Sequence, residues 1–326
     1  MDTIRKINSR AISTNETGFG TNSEYSGGRF YNKDGTPNVE VDGVGFLKKI
    51  SLYNTLLKMS GIKLFAVILI FYFVINLTFS GIYLALGPGN LGGADNDSTL
   101  NNFWEAFFFS AQTVSTVGYG HIYPKGLPTN IFAGMESLLG LLAFAFATAI
   151  IYGKFTQPRA YINFSHNALI APYNNGRAVM FRMAPYKHNH LTDAEVKVTL
   201  AMKLQEDGKV SNKFYSLPIE ISKVNALTVS WTVVHPINEQ SPFYNLTNDD
   251  LRMGSAELLI FFRAFDESFS NFVIARSSYI ASDFVEGAKF RLMYHPSEDK
   301  QTTILDMAKL SEFDKVDIPI LNEIKN

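Results

Sequence analysis

Two apolar runs, residues 62–86 and 130–152, constrain this fold more than anything else in the chain, because each is long enough to cross roughly 30 Å of hydrocarbon with some tilt. The first carries one charge, Lys63 at its start, and the second one ionisable residue, Glu136. Between them, residues 104–113 are apolar but too short to span. They predict a re-entrant helix over 102–113, since backbone that does not cross survives at membrane depth only when buried in protein or lining water. Directly after it come Thr116, Val117, Gly118, Tyr119 and Gly120. If the peptide planes of Thr116 to Tyr119 all turn inward, four copies of the loop stack rings of carbonyl oxygen along one axis, with the Thr116 hydroxyls as a further ring, and such rings replace the water shell of a bare cation. Glycine at 118 and 120 opens dihedrals closed to residues with a Cβ. One chain supplies a quarter of each ring, so a homotetramer is expected.

Charge fixes the expected orientation. Lys48, Lys49, Lys58 and Lys63 precede the first span and Lys154 and Arg159 follow the second, while the intervening loop offers Asp95, Asp97 and Lys125. By the positive-inside rule both termini are cytoplasmic. The formal net charge of -1 argues against a nucleic-acid partner. Cysteine is absent, which excludes disulfides and thiolate metal sites and suits a reducing face. The first apolar run begins too far in and is too long for a signal peptide, so it reads as an anchor.

Residues 1–45 are polar and aperiodic and read as an extended arm. Over 46–60, Phe46, Leu47, Ile50, Tyr53, Leu56 and Leu57 crowd one side and Lys48, Lys49, Asn54 and Lys58 the other, the pattern of an amphipathic helix at a membrane surface. Residues 61–153 form the transmembrane pore domain. Beyond Pro158 the period changes to two: Val196, Val198, Leu200, Met202 and Leu204 alternate with Lys197, Thr199, Ala201, Lys203 and Gln205, a strand with one buried face. Short runs at 176–184, 230–235, 258–262 and 272–280 follow without intervening helices. Residues 154–326 are therefore expected to form a cytoplasmic all-β, immunoglobulin-like sandwich with a polar C-terminal tail. The fold class is a membrane α-helical pore, two spans plus a re-entrant helix, carrying that sandwich. Sequons at Asn76, Asn96 and Asn245 are weak signals.

The pentapeptide is recognised as the filter sequence of potassium channels. The chain as a whole resembles the inward-rectifier potassium channels, most closely their prokaryotic branch. An ordered series of segments carries the resemblance: Arg29-Phe30-Tyr31-Asn32-Lys33-Asp34-Gly35, the interfacial "slide" helix, the filter, Lys154-Phe155-Thr156-Gln157-Pro158-Arg159, Phe164-Ser165-His166-Asn167-Ala168, His235-Pro236 through Ser241-Pro242, and Ala275-Arg276-Ser277-Ser278-Tyr279. It covers about residues 29 to 295 and implies passive K+ conduction through a homotetramer, no cofactor, and anionic phospholipid as a regulator.

Carried over position by position, the resemblance implies the following. Phe144 stands where strong rectifiers have an acidic or polar residue, so steep voltage-dependent block is not expected. In the cytoplasmic vestibule Asp193 and Glu267 match acidic positions but Arg263 replaces another, so polyamine or magnesium block should be weak. Behind the filter, Gln112 and Ile122 stand where eukaryotic members pair glutamate with arginine, which leaves Glu136 as the brace, either as a structural acceptor near the re-entrant helix or in direct contact with ions. Gly140, Phe144, Thr148 and Tyr152 recur every four residues. Gly140 and Phe144 are expected to line the pore, and Thr148 and Tyr152 to gate it near the cytoplasmic end by dewetting, with plain packing as the competing reading; Gly140 is a hinge or a close-packing point. Lys154, Arg159, Lys187 and His188 match lipid-phosphate positions, though positive-inside bias explains the same cations. Residues 265–275, with Phe269 and Phe272, align with a loop that narrows the vestibule apex.

Enzymatic chemistry has little support: His188 and His190 lack a partner carboxylate, and there is no Gly-x-Ser-x-Gly or phosphate-cradling glycine loop. A ligand-gated potassium channel with a small-molecule-sensing soluble domain is the alternative, and the period-two pattern opposes the α/β fold it requires. An integral protein of a bacterial inner membrane is expected.

Overall fold

A computed structural model of the chain describes residues 7–14, 17–20, 28–45, 51–95, 98–187, 189–206 and 209–318. It divides into two units, Asp42–Gln157 and Met1–Val41 with Pro158–Asn326.

In the first unit, helix α1 (Leu52–Lys58) is capped by the Ser51 hydroxyl; residues 46–50 of the expected interfacial helix lie outside the described residues. Met59 and Ser60 are extended and break it from α2 (Gly61–Leu86), where the Ser60 hydroxyl takes the Lys63 N–H. Gly87, at φ +101°, ends α2. After strand β1 (Leu91–Gly92), α3 (Thr99–Val114) is capped by Ser98. At 16 residues it is about 24 Å long, short of the bilayer core. Strand β2 (Tyr123–Pro124) pairs with β1, and α4 (Leu127–Phe155) follows. Pro128 is accommodated in the first turn of α4, where no N–H is needed. Both α2 and α4 are long and apolar enough to cross a membrane.

The second unit is a sandwich. Its strands are β3 (Ile162–Phe164), β4 (Ala168–Tyr173), β5 (Gly176–Pro185), β6 (Leu191–Glu206), β7 (Lys209–Ser216), β8 (Lys223–Ala226) and β9 (Trp231–Ile237); after helix α5 (Asn248–Met253) come β10 (Glu257–Asp266), β11 (Asn271–Ile280) and β12 (Phe284–Glu286). One sheet runs β11-β10-β6-β7 with β8 also on β6, the other β12-β4-β5-β3 with β9 also on β5. All these pairs are antiparallel except β12 with β4. Val196, Val198, Leu200, Met202 and Leu204 of one sheet meet Val179, Phe181, Met183 and Val233 of the other in a single buried core.

The arm changes the expected picture of β6. Ala201, on the face assigned to solvent, is buried with Phe214 and Leu259 under Phe19, Phe30 and Tyr31. Arm residues Ile12 and Thr14 also pair with the β7 edge, through Thr14 N–H to Phe214 O and Ser216 N–H to Ile12 O. Buried Glu257 accepts the N–H groups of Phe30 and Tyr31 at 2.7 and 3.1 Å. Gly35, at φ +80°, lies so close to Arg276 that a Cβ would sit 2.3 Å from its carbonyl oxygen. Ile12, Thr14, Phe19 and residues 30–35 of the arm are thus docked on the sandwich.

His235 is locked between the sheets. Its Nδ1 lies 2.6 Å from the Pro218 carbonyl, which can only accept, so Nδ1 carries the hydrogen and Nε2 accepts from the Ser241 hydroxyl at 2.8 Å. Burial pushes this imidazole below the usual histidine range. The unfolded chain therefore takes up the proton at higher pH than the folded one, so the stabilisation is present above the ordinary histidine range and lost as pH falls through it. The thermal midpoint of the sandwich transition in the full chain is expected to drop between about pH 8 and about pH 5.5, and His235→Gln to flatten that part of the profile. An unchanged slope in the variant would assign the pH dependence elsewhere.

Candidate ion-conduction site

The segment after α3 has an unusual backbone. Thr116, Gly118 and Gly120 have φ of +61°, +54° and +81°, whereas Val117 and Tyr119 between them do not enter positive φ. Alternation of left- and right-handed residues is the condition under which successive carbonyls of a stretched chain share one side. The hydrogen bonds fix which side. Gly118 donates its N–H to the Gln112 carbonyl at 3.2 Å, and Tyr119 donates its N–H to Gln112 Oε1 at 3.0 Å. In a planar trans peptide the C=O points opposite to the N–H, so the Val117 and Gly118 carbonyls are turned away from α3. Gln112 thus holds two consecutive peptide planes with its main chain and side chain.

A buried polar cluster stands two residues earlier on α3, at Ser110. Tyr83 of α2 donates to Glu136 Oε2 at 2.5 Å, Ser110 of α3 contacts Glu136 Oε1 and lies 3.0 Å from Asn76 Oδ1, and Asn76 donates to the Tyr72 carbonyl at 2.8 Å. Asn76, Tyr83, Ser110 and Glu136 are all within 1% of complete burial. The cluster ties both long helices to the helix that carries the filter. Ile122, opposite the missing ion pair, packs beside Leu91, Phe109 and Ala133 instead.

Beyond the filter, β1 and β2 clamp the returning chain. Gly92 packs on the Tyr123 ring, and a Cβ on Gly93 (φ +83°) would lie 1.9 Å from the His121 carbonyl oxygen. Sequence reasoning singled out Asn76 only as a weak sequon and passed over Tyr83, Ser110 and Gly93. The available signal was polarity: Asn76 and Ser110 sit inside apolar runs, where a polar group needs a partner.

On α4, Gly140 departs from the row in which it was placed. It is buried against the end of α3, where a Cβ would stand 2.1 Å from the Val114 carbonyl oxygen, and it belongs to the packed stripe Thr129, Ala133, Glu136, Gly140. Phe144, Thr148 and Tyr152 are exposed. A four-residue step on an α-helix advances about 40° beyond a full turn, so Gly140 and Tyr152 lie about 120° apart around the axis. Gly140 is a close-packing point that also lines, with Phe144 and Thr116, an apolar cavity of about 670 Å³. Gly140→Val is expected to destabilise each subunit by about 1–3 kcal/mol through overpacking and to reduce K+ flux at least tenfold; wild-type flux from the variant in liposomes would count against this contact.

Lys154, expected on lipid phosphate, turns to the main chain: its ammonium donates to the Leu57 carbonyl at 3.1 Å and to the Met59 carbonyl. In the sandwich unit, Lys187 Nζ sits 4.1 Å over the Tyr161 ring, and Arg159 lines a cleft of about 480 Å³ with Lys33, Tyr161, His166, Tyr186 and Arg276. His188 lies outside the described residues. Asp193, at φ +48°, bulges from β6 and pairs with Lys223 at 3.1 Å. Arg263 stacks its guanidinium 3.8 Å from the Phe272 ring centre. Residues 265–275, expected as a loop, are mostly strand: β10 and β11 pair down to Asp266 and Asn271, the Phe265 and Phe272 rings meet edge to face, and buried Asp266 accepts the Ser268 and Phe269 N–H groups to close the turn that carries Glu267. The aromatic cross-strand pair extends the ladder further than a glycine-poor turn would suggest.

The model of the inward rectifier potassium channel C-terminal domain matches residues 162–325, and an ion channel model matches residues 64–157. Over 288 residues the chain is 32% identical to the inward rectifier potassium channel Kirbac3.1 of Paramagnetospirillum magnetotacticum, covering 87% of this chain and 95% of that one. It is 26% identical to an ATP-sensitive inward rectifier potassium channel 12 of Gallus gallus, covering 80% of this chain and 66% of the relative, and 26% identical to a G protein-activated inward rectifier potassium channel 2 of Pongo abelii, covering 80% and 67%. Two apolar helices around a tethered filter, joined to a β-sandwich that matches such a domain model, mean that this chain belongs to the inward rectifier potassium channel family.

Proposed function

We propose that four copies of the chain form a passive, K+-selective pore whose ion sites are the Thr116, Val117, Gly118 and Tyr119 carbonyls and the Thr116 hydroxyl, with Gly120 completing the turn. The observation that carries this reading is the capture of the Gly118 and Tyr119 N–H groups by Gln112, which aims the Val117 and Gly118 carbonyls away from α3. Glu136 acts as a structural acceptor that braces the filter helix, not as an ion ligand; its carboxylate oxygens are taken up by Tyr83 and Ser110.

Thr148 and Tyr152 form the gate, near the end of α4, and Phe144 lines the conduction path below the filter. An apolar ring at Phe144 and a vestibule in which Asp193 is paired with Lys223 and Arg263 is stacked on Phe272 leave little to attract polycations, so polyamine and magnesium block are weak. Arg159 and Lys187 are the candidate contacts for anionic lipid phosphate. The protein is integral to a bacterial inner membrane with both termini cytoplasmic.

Rubidium uptake into liposomes holding the purified protein tests the reading, with barium as blocker and with or without an anionic phosphoinositide. Barium-sensitive uptake that excludes sodium is the expected result, and a change on adding the lipid that is lost in Arg159→Gln/Lys187→Gln supports the lipid contacts. Uptake that fails to discriminate K+ from Na+ would overturn the ion-site assignment.

A further inference from the structure

The start of the arm, residues 7–14 and 17–20, precedes the part of the chain that carries the family resemblance, and contacts of its own hold it on the sandwich. Strand β7 is the end strand of its sheet, in the order β11-β10-β6-β7. An end strand presents a row of N–H and C=O groups ready to pair with another extended chain, and proteins cover such edges. Here the cover is Ile12 to Thr14. Ser13 stands opposite Tyr215 in an antiparallel bridge, between the bond from Thr14 N–H to the Phe214 carbonyl at 2.8 Å and the bond from Ser216 N–H to the Ile12 carbonyl at 3.0 Å. Phe214 and Ser216 therefore turn their main-chain groups outward, away from β6.

Contacts on either side keep this short cover in place. Upstream, the Asn8 amide donates to the Glu239 and Ser241 carbonyls at 2.7 and 2.9 Å, Arg10 pairs with the Glu239 carboxylate, and Ile7 and Ala11 pack against the sandwich core. Downstream, the Phe19 ring closes over Phe214, with ring centres 6.4 Å apart, and lies 4.7 Å from Phe30 and 5.2 Å from Tyr31. Much of this hold is open to water: Arg10 and Glu239 are 65% and 68% exposed and Ile12 is 56% exposed. An exposed ion pair adds little, and a ladder of two bonds is a modest tie. The cover is built to fit and also to come away.

We propose that β7 is an interaction edge for a second copy of this chain, and that residues 7–20 are the built-in strand that keeps it closed. Every copy carries the same edge, and two identical edges pair antiparallel about a two-fold axis. With the main-chain groups of Phe214 and Ser216 turned outward, the pairing centres on Asn212. In that register Lys209 lies opposite Tyr215 and Lys213 opposite Ser211, so no lysine faces a lysine. A tetramer has four such edges, and releasing the arm joins channels into species larger than one tetramer. Filter and gate play no part in it.

Light scattering on the purified full-length channel in detergent, at rising protein concentration, measures the mass. The parent is expected to stay at one tetramer throughout. Asn8→Ala/Thr14→Pro removes the amide pin and the N–H that pairs with Phe214, since proline has none, and is expected to at least double the mean mass. Because the chain has no cysteine, a nitroxide on Ile12→Cys reports release of the arm, and Asn212→Cys reports the pairing as a disulfide between channels that forms only when the arm is released. Asn8→Ala/Arg10→Ala, which leaves the bridge residues unchanged, replaces the proline variant if that one does not assemble. A nitroxide that stays immobile in the assembled variant overturns the closing role of residues 7–20, as does a parent that associates with its arm in place. A released arm with the mass still that of one tetramer, or association without the Asn212→Cys disulfide, overturns the β7 edge as the interface.

Discussion

Gly118→Ala is expected to abolish discrimination between K+ and Na+, reducing the permeability ratio at least tenfold or eliminating flux. The position has φ +54°, and an added Cβ meets nothing within 4 Å in the single chain, so backbone strain and not collision carries the effect. Holding alanine in the left-handed region costs about 1–2 kcal/mol. Four subunits place that strain around one axis, about 4–8 kcal/mol in all, and the chain can relieve it only by rotating the 117–118 and 118–119 peptides. Those are the planes that Gln112 holds. Rotation breaks the 3.2 and 3.0 Å bonds and swings the Val117 and Gly118 carbonyls out of line together. Gly81→Ala is the control: Gly81 lies within α2 at ordinary helical dihedrals with open space around its Cβ, and alanine there should leave selectivity intact. Retention of selectivity in Gly118→Ala, measured from reversal potentials in bi-ionic conditions, would refute the carbonyl assignment.

Glu136→Leu is expected to be strongly destabilising in the membrane unit. It removes the acceptor of the Tyr83 hydroxyl at a site where no water can replace it, and a stranded buried hydroxyl costs about 1–3 kcal/mol. Ser110 can still give its hydrogen to Asn76 Oδ1, so the loss is about 1–3 kcal/mol per subunit, or about 4–12 kcal/mol over four subunits, enough to lose the assembled channel on extraction into detergent. Glu136→Gln should be far milder. An amide offers one acceptor oxygen to Tyr83 and one donor to Ser110, whose oxygen can accept while its hydrogen goes to Asn76. The measurement is the thermal midpoint of the purified protein together with rubidium flux. Equal midpoints for the leucine and glutamine variants would mean that Glu136 serves bulk packing alone.

Much of this architecture was legible before any coordinates. Apolar runs of spanning length gave α2 and α4 because hydrocarbon leaves a chain few alternatives, and the alternation around Val196 to Leu204 gave β6 because one sheet face is buried. The α3 helix was legible as a segment too short to cross. Harder to read were contacts between residues far apart in sequence. Asn76, Tyr83, Ser110 and Glu136 come from three helices, and only Glu136 stands out in a linear reading. The arm's hold on β10 rests on Phe30, Tyr31 and Glu257, which are separated by more than two hundred positions and follow no period. The burial of Gly140 against α3 was hard to read because a four-residue repeat advances about 40° per step, which over three steps turns one helix face into another.

The docking of the arm has a consequence for biosynthesis. Arm residues leave the ribosome before the membrane unit does, and find their partners, Glu257, Arg276 and Ser278, only after the whole of that unit has been made. They must therefore wait on the side of the bilayer where the sandwich will fold. This imposes a parity rule on translocation: residues 42–157 must traverse the membrane an even number of times, and a polypeptide in which α3 went through as a third span would leave the arm stranded across the bilayer from the strand it is shaped to meet.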